Sequence, residues 1–234
     1  MVLYDELISL YENHMQILQY VNKDILYKRI KYSEIRAIEH SITLLRGEAM
    51  FFTKDSEFCV LYNAVSKELI GELIKIVREK SSGNSKVRSL SGTSGLKPFS
   101  FKFNSLLNRI NETETGLQVI AYQPESRITY TGSGVLGKLW TLMRSPILLD
   151  SMQLSNGREL VILSQSDGLR FRAKPDYNLR YIYIPFEHID SVETEPSHRY
   201  SGIIRMEIKV GDHTFSLLSQ DECNSCDVLK KLVA

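Results

Sequence analysis

The sequence predicts a mainly β fold of the α+β class, assembled from two copies of one antiparallel unit with a helix at the end of each. Three observations predict it: apolar and polar residues alternate over many short runs, turn residues separate the runs, and one pattern occurs twice. In that pattern Ile30-Lys31-Tyr32-Ser33-Glu34-Ile35-Arg36-Ala37-Ile38-Glu39 aligns without gaps with Ile184-Pro185-Phe186-Glu187-His188-Ile189-Asp190-Ser191-Val192-Glu193. Asp55, Phe58 and Leu61 then align with Asp212, Phe215 and Leu218, and Leu73, Ile76 and Val77 with Leu229, Leu232 and Val233. The offset changes only slightly between these blocks, as loop-length differences would produce. A chain of 234 residues is long enough for two modest cores.

In the first copy, Ala49 to Thr53, a turn at Lys54-Asp55-Ser56 and Glu57 to Tyr62 read as a hairpin. Ser66-Lys67-Glu68 then opens a helix carrying Leu69, Ile70, Leu73, Ile74, Ile76 and Val77, with its acidic residue where the helix dipole favours one. Residues 81–98 are rich in Ser and Gly with little to bury, the composition of a flexible connector. Phe99 to Phe103, Leu117 to Tyr122 and Arg127 to Tyr130 are strand-like. Leu179 to Ile184 and Ile204 to Val210 alternate as half-buried strands do, Gly211-Asp212 supplies a hairpin turn into His213 to Leu217, and Asp221-Glu222 opens a second helix. The expected division is a first domain over 1–80, a linker over 81–98 and a second domain over 99–234 with extra N-terminal strands. Either the first domain is shortened, or residues 99–103 fold back to complete it.

Composition narrows the function. Lys and Arg number 29 against 28 Asp and Glu, so no global field draws the chain to nucleic acid or a membrane, and recognition falls to local patches. Three cysteines make no disulfide framework, the start lacks the basic and apolar regions of a signal peptide, and no run approaches the roughly eighteen apolar residues of a spanning helix. The expectation is a cytoplasmic protein whose membrane contact, where it occurs, is peripheral.

Meandering strands, the Ile184-Pro185-Phe186-Glu187-His188-Ile189 segment at a strand end, the Gly211-Asp212 hairpin and a single closing helix together resemble the pleckstrin-homology (PH) superfold, including its GRAM and bacterial PH-like branches. The likeness covers about residues 117–234 well, and the latter part of 1–80. It implies two bent antiparallel barrels, each closed by a C-terminal helix. The superfold serves phosphoinositide binding, protein docking and plain architecture, so the fold alone leaves function open.

Phosphoinositide-binding members use cations of their first strands, and Arg170-Phe171-Arg172-Ala173-Lys174 and Lys28-Arg29-Ile30-Lys31 are similar to that pattern. The blander account is the solvated face of an amphipathic strand. Leu136, Leu139, Trp140 and Met143 recur at helical spacing in a stretch without acidic residues, which fits docking to a partner or a membrane interface; a helix packed on its own barrel is the simpler alternative. Cys223-Asn224-Ser225-Cys226 has C-x-x-C spacing but no further pair of ligands, so no metal is expected. Arg88 three residues before Ser91 is a pattern that basophilic kinases accept. The five histidines are scattered, and no nucleophile motif or phosphate loop is present, so neither catalysis nor a cofactor is expected. The expected role is an adaptor that docks a protein partner. Anionic-lipid binding is the alternative, and histone chaperoning, by analogy with tandem PH modules, a further one. Direct nucleic-acid binding is disfavoured by the near-zero net charge.

Overall fold

The computed structural model describes residues 6–82, 87–88, 98–114, 116–131, 146–165, 168–171, 178–220 and 229–230. It is mainly β, with antiparallel pairing throughout. The first copy begins with β1 (Glu6–Leu10), β2 (His14–Val21) and β3 (Asp24–Lys31), which form a three-stranded sheet in that order. Asn22 and Lys23 both have positive φ, the type I′ geometry that joins two strands by a two-residue loop. After a 3-10 turn at Tyr32–Glu34 come β4 (Ala37–Ile42), β5 (Arg46–Phe52), β6 (Glu57–Asn63) and helix α1 (Lys67–Ser81). Helix α2 (Phe101–Thr113) opens the second half, followed by β7 (Gln118–Gln123), β8 (Ser126–Arg127), β9 (Pro146–Leu148), β10 (Ser151–Ser155), β11 (Glu159–Ser164), β12 (Leu169–Phe171) and β13 (Leu179–Pro185). A second 3-10 turn, Phe186–His188, leads into β14 (Ser191–Pro196), β15 (Ile203–Val210) and β16 (His213–Gln220).

The sequence repeat has a structural counterpart. In each copy a strand ends in a 3-10 turn anchored by a buried aromatic, Tyr32 or Phe186, and a three-stranded meander follows. Equivalent backbone bonds hold the two turns: Arg36 N–H donates to Phe52 O at 2.8 Å, and Asp190 N–H to Lys209 O at 2.9 Å.

The copies share a sheet. Strand β4 pairs with β13, so one seven-stranded sheet runs β6-β5-β4-β13-β11-β10-β7 across both. It is the middle layer of the molecule. Ile38, Phe51, Val161, Leu163 and Tyr183 face a core built with the β1–β3 sheet, α1 and α2, while Phe52, Leu160, Ile162, Ile182 and Ile184 face a second core under β14–β16. Because both faces are covered, β11 is apolar through Leu160-Val161-Ile162-Leu163 instead of alternating. The turn of the last hairpin also touches the first copy: Asp212 N–H donates to Lys54 O at 3.0 Å. Gly211 has φ +60 and lies so close that a Cβ there would sit 2.7 Å from the same oxygen.

The two closed barrels expected from sequence are not seen: among the described residues no sheet closes through a backbone ladder, and side chains bond across two of the openings instead. In the first copy Glu6 Oε2 accepts from Leu61 N–H at 3.2 Å, and Gln19 Nε2 donates to Cys59 O at 3.3 Å. In the second, Gln123 Oε1 accepts from Gln220 N–H at 2.8 Å and from Ser219 Oγ at 3.2 Å.

One further sequence expectation needs correction. The run Phe99 to Phe103 is not a strand: Ser100 caps a helix, its hydroxyl accepting from Phe103 N–H, and Phe103, Leu106, Leu107 and Ile110 then pack at helical spacing. Three alternating phenylalanines, at and just before a helix start, imitate a strand. On α1, Ile70, Ile74 and Val77 are buried, but Leu69 and Ile76 are exposed. Of the expected C-terminal helix only Leu229 and Lys230 are described, with Leu229 buried in the second core.

Candidate functional site

Among the described residues the β2–β3 hairpin carries the largest concentration of exposed apolar side chains. Cross-strand partners lie on one face of a sheet, so the register assigns each side chain to a face. Met15, Ile17 and Ile30 point inward and are buried. Outward, from the hairpin tip, stand Tyr20 opposite Ile25, then Leu7, Leu18 and Tyr27 in one row, then Ser9, Gln16 and Arg29, and last His14 opposite Lys31. Ile25 is 70% exposed, and Leu7 and Tyr27 are more than half exposed. The outer face is thus an apolar field bordered by a cationic band. Arg29 Nη2 lies 3.3 Å from His14 Nδ1, and Tyr11 stacks on the His14 ring at 4.7 Å. Desolvation, and then the Arg29 charge, hold His14 below the usual imidazole range.

A cleft of about 280 Å³ opens beside the band, between the end of β3, the first 3-10 turn and the β5–β6 turn. Arg29, Arg36 and Lys54 bring cations to it, Ser33 hydroxyl capacity, and Glu34 and Asp55 opposing charge. Lys28, on the inner side of β3, lies over the Phe58 ring at 5.2 Å on the same rim, while Lys31 pairs with Glu34 at 3.4 Å. Of the six cations flagged in sequence, the three on β3 therefore split, with Arg29 and Lys31 outward and Lys28 inward. Arg36 and Lys54 join them because the turns carrying them fold together.

Arg170 lies on β12, in a different sheet, and its guanidinium is paired with Glu125 at 3.3 Å. Arg172, Lys174, Leu136, Leu139, Trp140, Met143, Ser91, Cys223 and Cys226 lie outside the described residues.

A larger cleft of about 410 Å³, lined by Lys75, Arg78, Glu114, Arg158 and Glu159, has an ion network as its floor. Arg78 donates to Glu114 at 2.6 Å and to Glu159 at 2.6 Å, and its guanidinium covers the Tyr183 ring at 3.9 Å. Its charge is already used within the fold. Cys59 Sγ donates to Glu48 at 3.1 Å, and burial with that carboxylate pushes the thiol up to about 12, far from a thiolate nucleophile. Among the described residues no group of three or more His, Cys, Asp or Glu is placed to hold a metal ion, and no helix is long and apolar enough to cross a membrane.

Compared with known proteins, the chain matches no family model and no curated protein. Its function has to be read from this surface.

Proposed function

We propose that this chain is a non-catalytic adaptor of two PH-like copies that docks at an anionic membrane surface through the outer face of β1–β2–β3. The observation that carries the reading is the order of side chains on that face: Tyr20, Ile25, Leu7 and Tyr27 at one end, Arg29 and Lys31 at the other. Apolar side chains with tyrosines at their margin suit the boundary between acyl chains and headgroups, and the cations behind them then stand at phosphate level. The neighbouring cleft with Arg29, Arg36 and Lys54 fits a phosphorylated headgroup. Support for the PH-like architecture comes from the repeated turn-and-meander and from the near closure of each copy by side chains of its first strands or its β7 edge. The chaperone alternative asks for an extended face of one charge. The exposed pairs Lys209 with Glu193 and Arg205 with Glu207 mix signs on the second copy instead.

Docking of a protein partner on the same apolar face is the second reading, favoured by the same exposed row. Vesicle co-sedimentation separates the two. Wild type is expected to bind phosphatidylserine-containing vesicles, and less at high salt, but not neutral phosphatidylcholine ones. Arg29→Glu/Lys31→Glu is expected to lower that binding by about thirtyfold or more, from about 1 kcal/mol for each of two headgroup contacts, and Ile25→Asp/Tyr27→Asp by about tenfold or more through lost apolar insertion. Wild type that ignores anionic vesicles would overturn the membrane reading and leave the face to a protein partner.

A further inference from the structure

The edge of β3 is a separate surface from its face. Side chains bond to two other sheet edges: Glu6 and Gln19 to β6, and Gln123 to the end of β16. Strand β3 ends its sheet, is eight residues long, and is exposed at every position but Ile30. The type I′ turn makes Val21 and Asp24 a hydrogen-bonded pair, so the N–H and C=O groups of Ile25, Tyr27 and Arg29 point away from β2. Lys31 follows the same parity, and its outward N–H is taken by Glu34 at 3.3 Å. Among the described residues nothing bonds the outward N–H groups of Ile25, Tyr27 and Arg29. A long edge with an apolar centre is a template for another strand.

We propose that β3 pairs antiparallel with β3 of a second copy of this chain, about a two-fold axis at Leu26, joining two three-stranded sheets into one of six strands. The sequence Asp24-Ile25-Leu26-Tyr27-Lys28 selects this register, because opposite charges stand at equal distances from Leu26. About that axis Asp24 faces Lys28 of the partner subunit twice, and Ile25 faces Tyr27 of the partner subunit through the outward hydrogen-bonding groups. Moving the axis to Tyr27 keeps the hydrogen-bonding parity but sets Asp24 against Ile30 of the partner subunit and Ile25 against Arg29 of the partner subunit. Lysine on an edge ordinarily repels a further strand. Here the register turns Lys28 into a contact, and it serves instead to exclude strands lacking a matching acid. Pairing of this symmetry leaves both outer faces on one side of the joined sheet, yet it does not depend on lipid, and its test contains none.

Sedimentation equilibrium of the full chain in buffer is the test. Wild type is expected to show a reversible monomer–dimer equilibrium. Asp24→Lys and Lys28→Asp are each expected to weaken it by about tenfold or more, and the exchange Asp24→Lys/Lys28→Asp to restore it to within about threefold. A fold defect cannot produce that restoration. Leu26→Cys, which would face its counterpart across the axis as a non-hydrogen-bonded pair with Cα atoms about 4.5 Å apart, is expected to oxidise to a covalent dimer, while Val65→Cys, on another exposed surface, is not. A wild-type monomer up to about 100 µM, equal crosslinking of the two cysteine variants, or a charge exchange as weak as the single reversals would each overturn the proposal.

Discussion

Arg78→Ala is expected to lower the unfolding free energy by about 3–5 kcal/mol, the range found when one partner of a buried ion pair is removed. Arg78 leaves α1, belongs to the first copy, and is 6% exposed. Its Nη1 reaches Glu114 just after α2, its Nη2 and Nε reach Glu159 at the start of β11, and Tyr183 of β13 lies beneath it. Burial alone would lower its pKa, but the Glu159 charge and the bonds from Glu114 and Glu159 outweigh that and hold it above the ordinary guanidinium value. Removal strands Glu159, itself buried, with Asn156 Nδ2 at 3.0 Å as its remaining side-chain donor among the described residues. Arg78→Met/Glu159→Leu is expected to lose less than the single change, because no buried charge is left alone. Urea unfolding followed by far-UV circular dichroism measures all three. A single-variant loss below about 1 kcal/mol would show that the apolar core holds the copies together without the network.

The hairpins β5–β6 and β15–β16 and helix α1 were legible in the sequence because local chemistry specifies them: alternation over five to eight residues, turn residues between, and a lengthened period with a cap. The shared sheet was not. The pairing of Ile42 with Leu179 and of Ile38 with Tyr183 joins residues far apart in the chain, and neither strand's pattern names its neighbour. β11 shows the related difficulty, since a short run buried on both faces has no period to read. For the candidate site, the charges of Lys28, Arg29 and Lys31 stood out, but the apolar row did not. Leu7, Leu18 and Tyr27 become one surface only once the register of three strands is fixed. Asn22-Lys23 between Tyr20-Val21 and Ile25-Leu26-Tyr27 was the available signal for that hairpin, a two-residue turn between apolar runs. Arg36 and Lys54 carried no signal, because the cleft they line forms from two turns brought together by the meander.

Between pH 7 and pH 4 the fold is expected to lose about 3 kcal/mol through His40 alone. His40 stands on β4, opposite Ala49 on one side and Tyr181 on the other, and is 5% exposed. Burial pulls its pKa down to about 4 from an ordinary 6.5. Across that window the unfolded chain binds a proton that the folded chain refuses, so stability is full above about pH 6.5, falls as pH drops, and levels off below about 4. His188 is also held below its ordinary value, chiefly by burial, and adds a slope of the same sign. The difference between wild type and His40→Gln isolates the His40 share. The ring's partner is the Tyr62 hydroxyl, whose own burial pushes it up to about 12 and keeps it protonated throughout. Room for Tyr62 comes from Gly47, where an added Cβ would fall 1.9 Å from the ring's Cζ. Gly47→Ala must therefore swing the ring outward and admit water to His40. Its stability should fall by about 1–3 kcal/mol near pH 7, and its further loss on acidification should be smaller than that of wild type, because a solvated imidazole titrates alike in both states. Proton NMR of the His40 ring reads the cause directly: a wild-type midpoint near 6.5 would sink the account, and a midpoint near 4 that rises in Gly47→Ala would tie the acid sensitivity of the fold to one glycine.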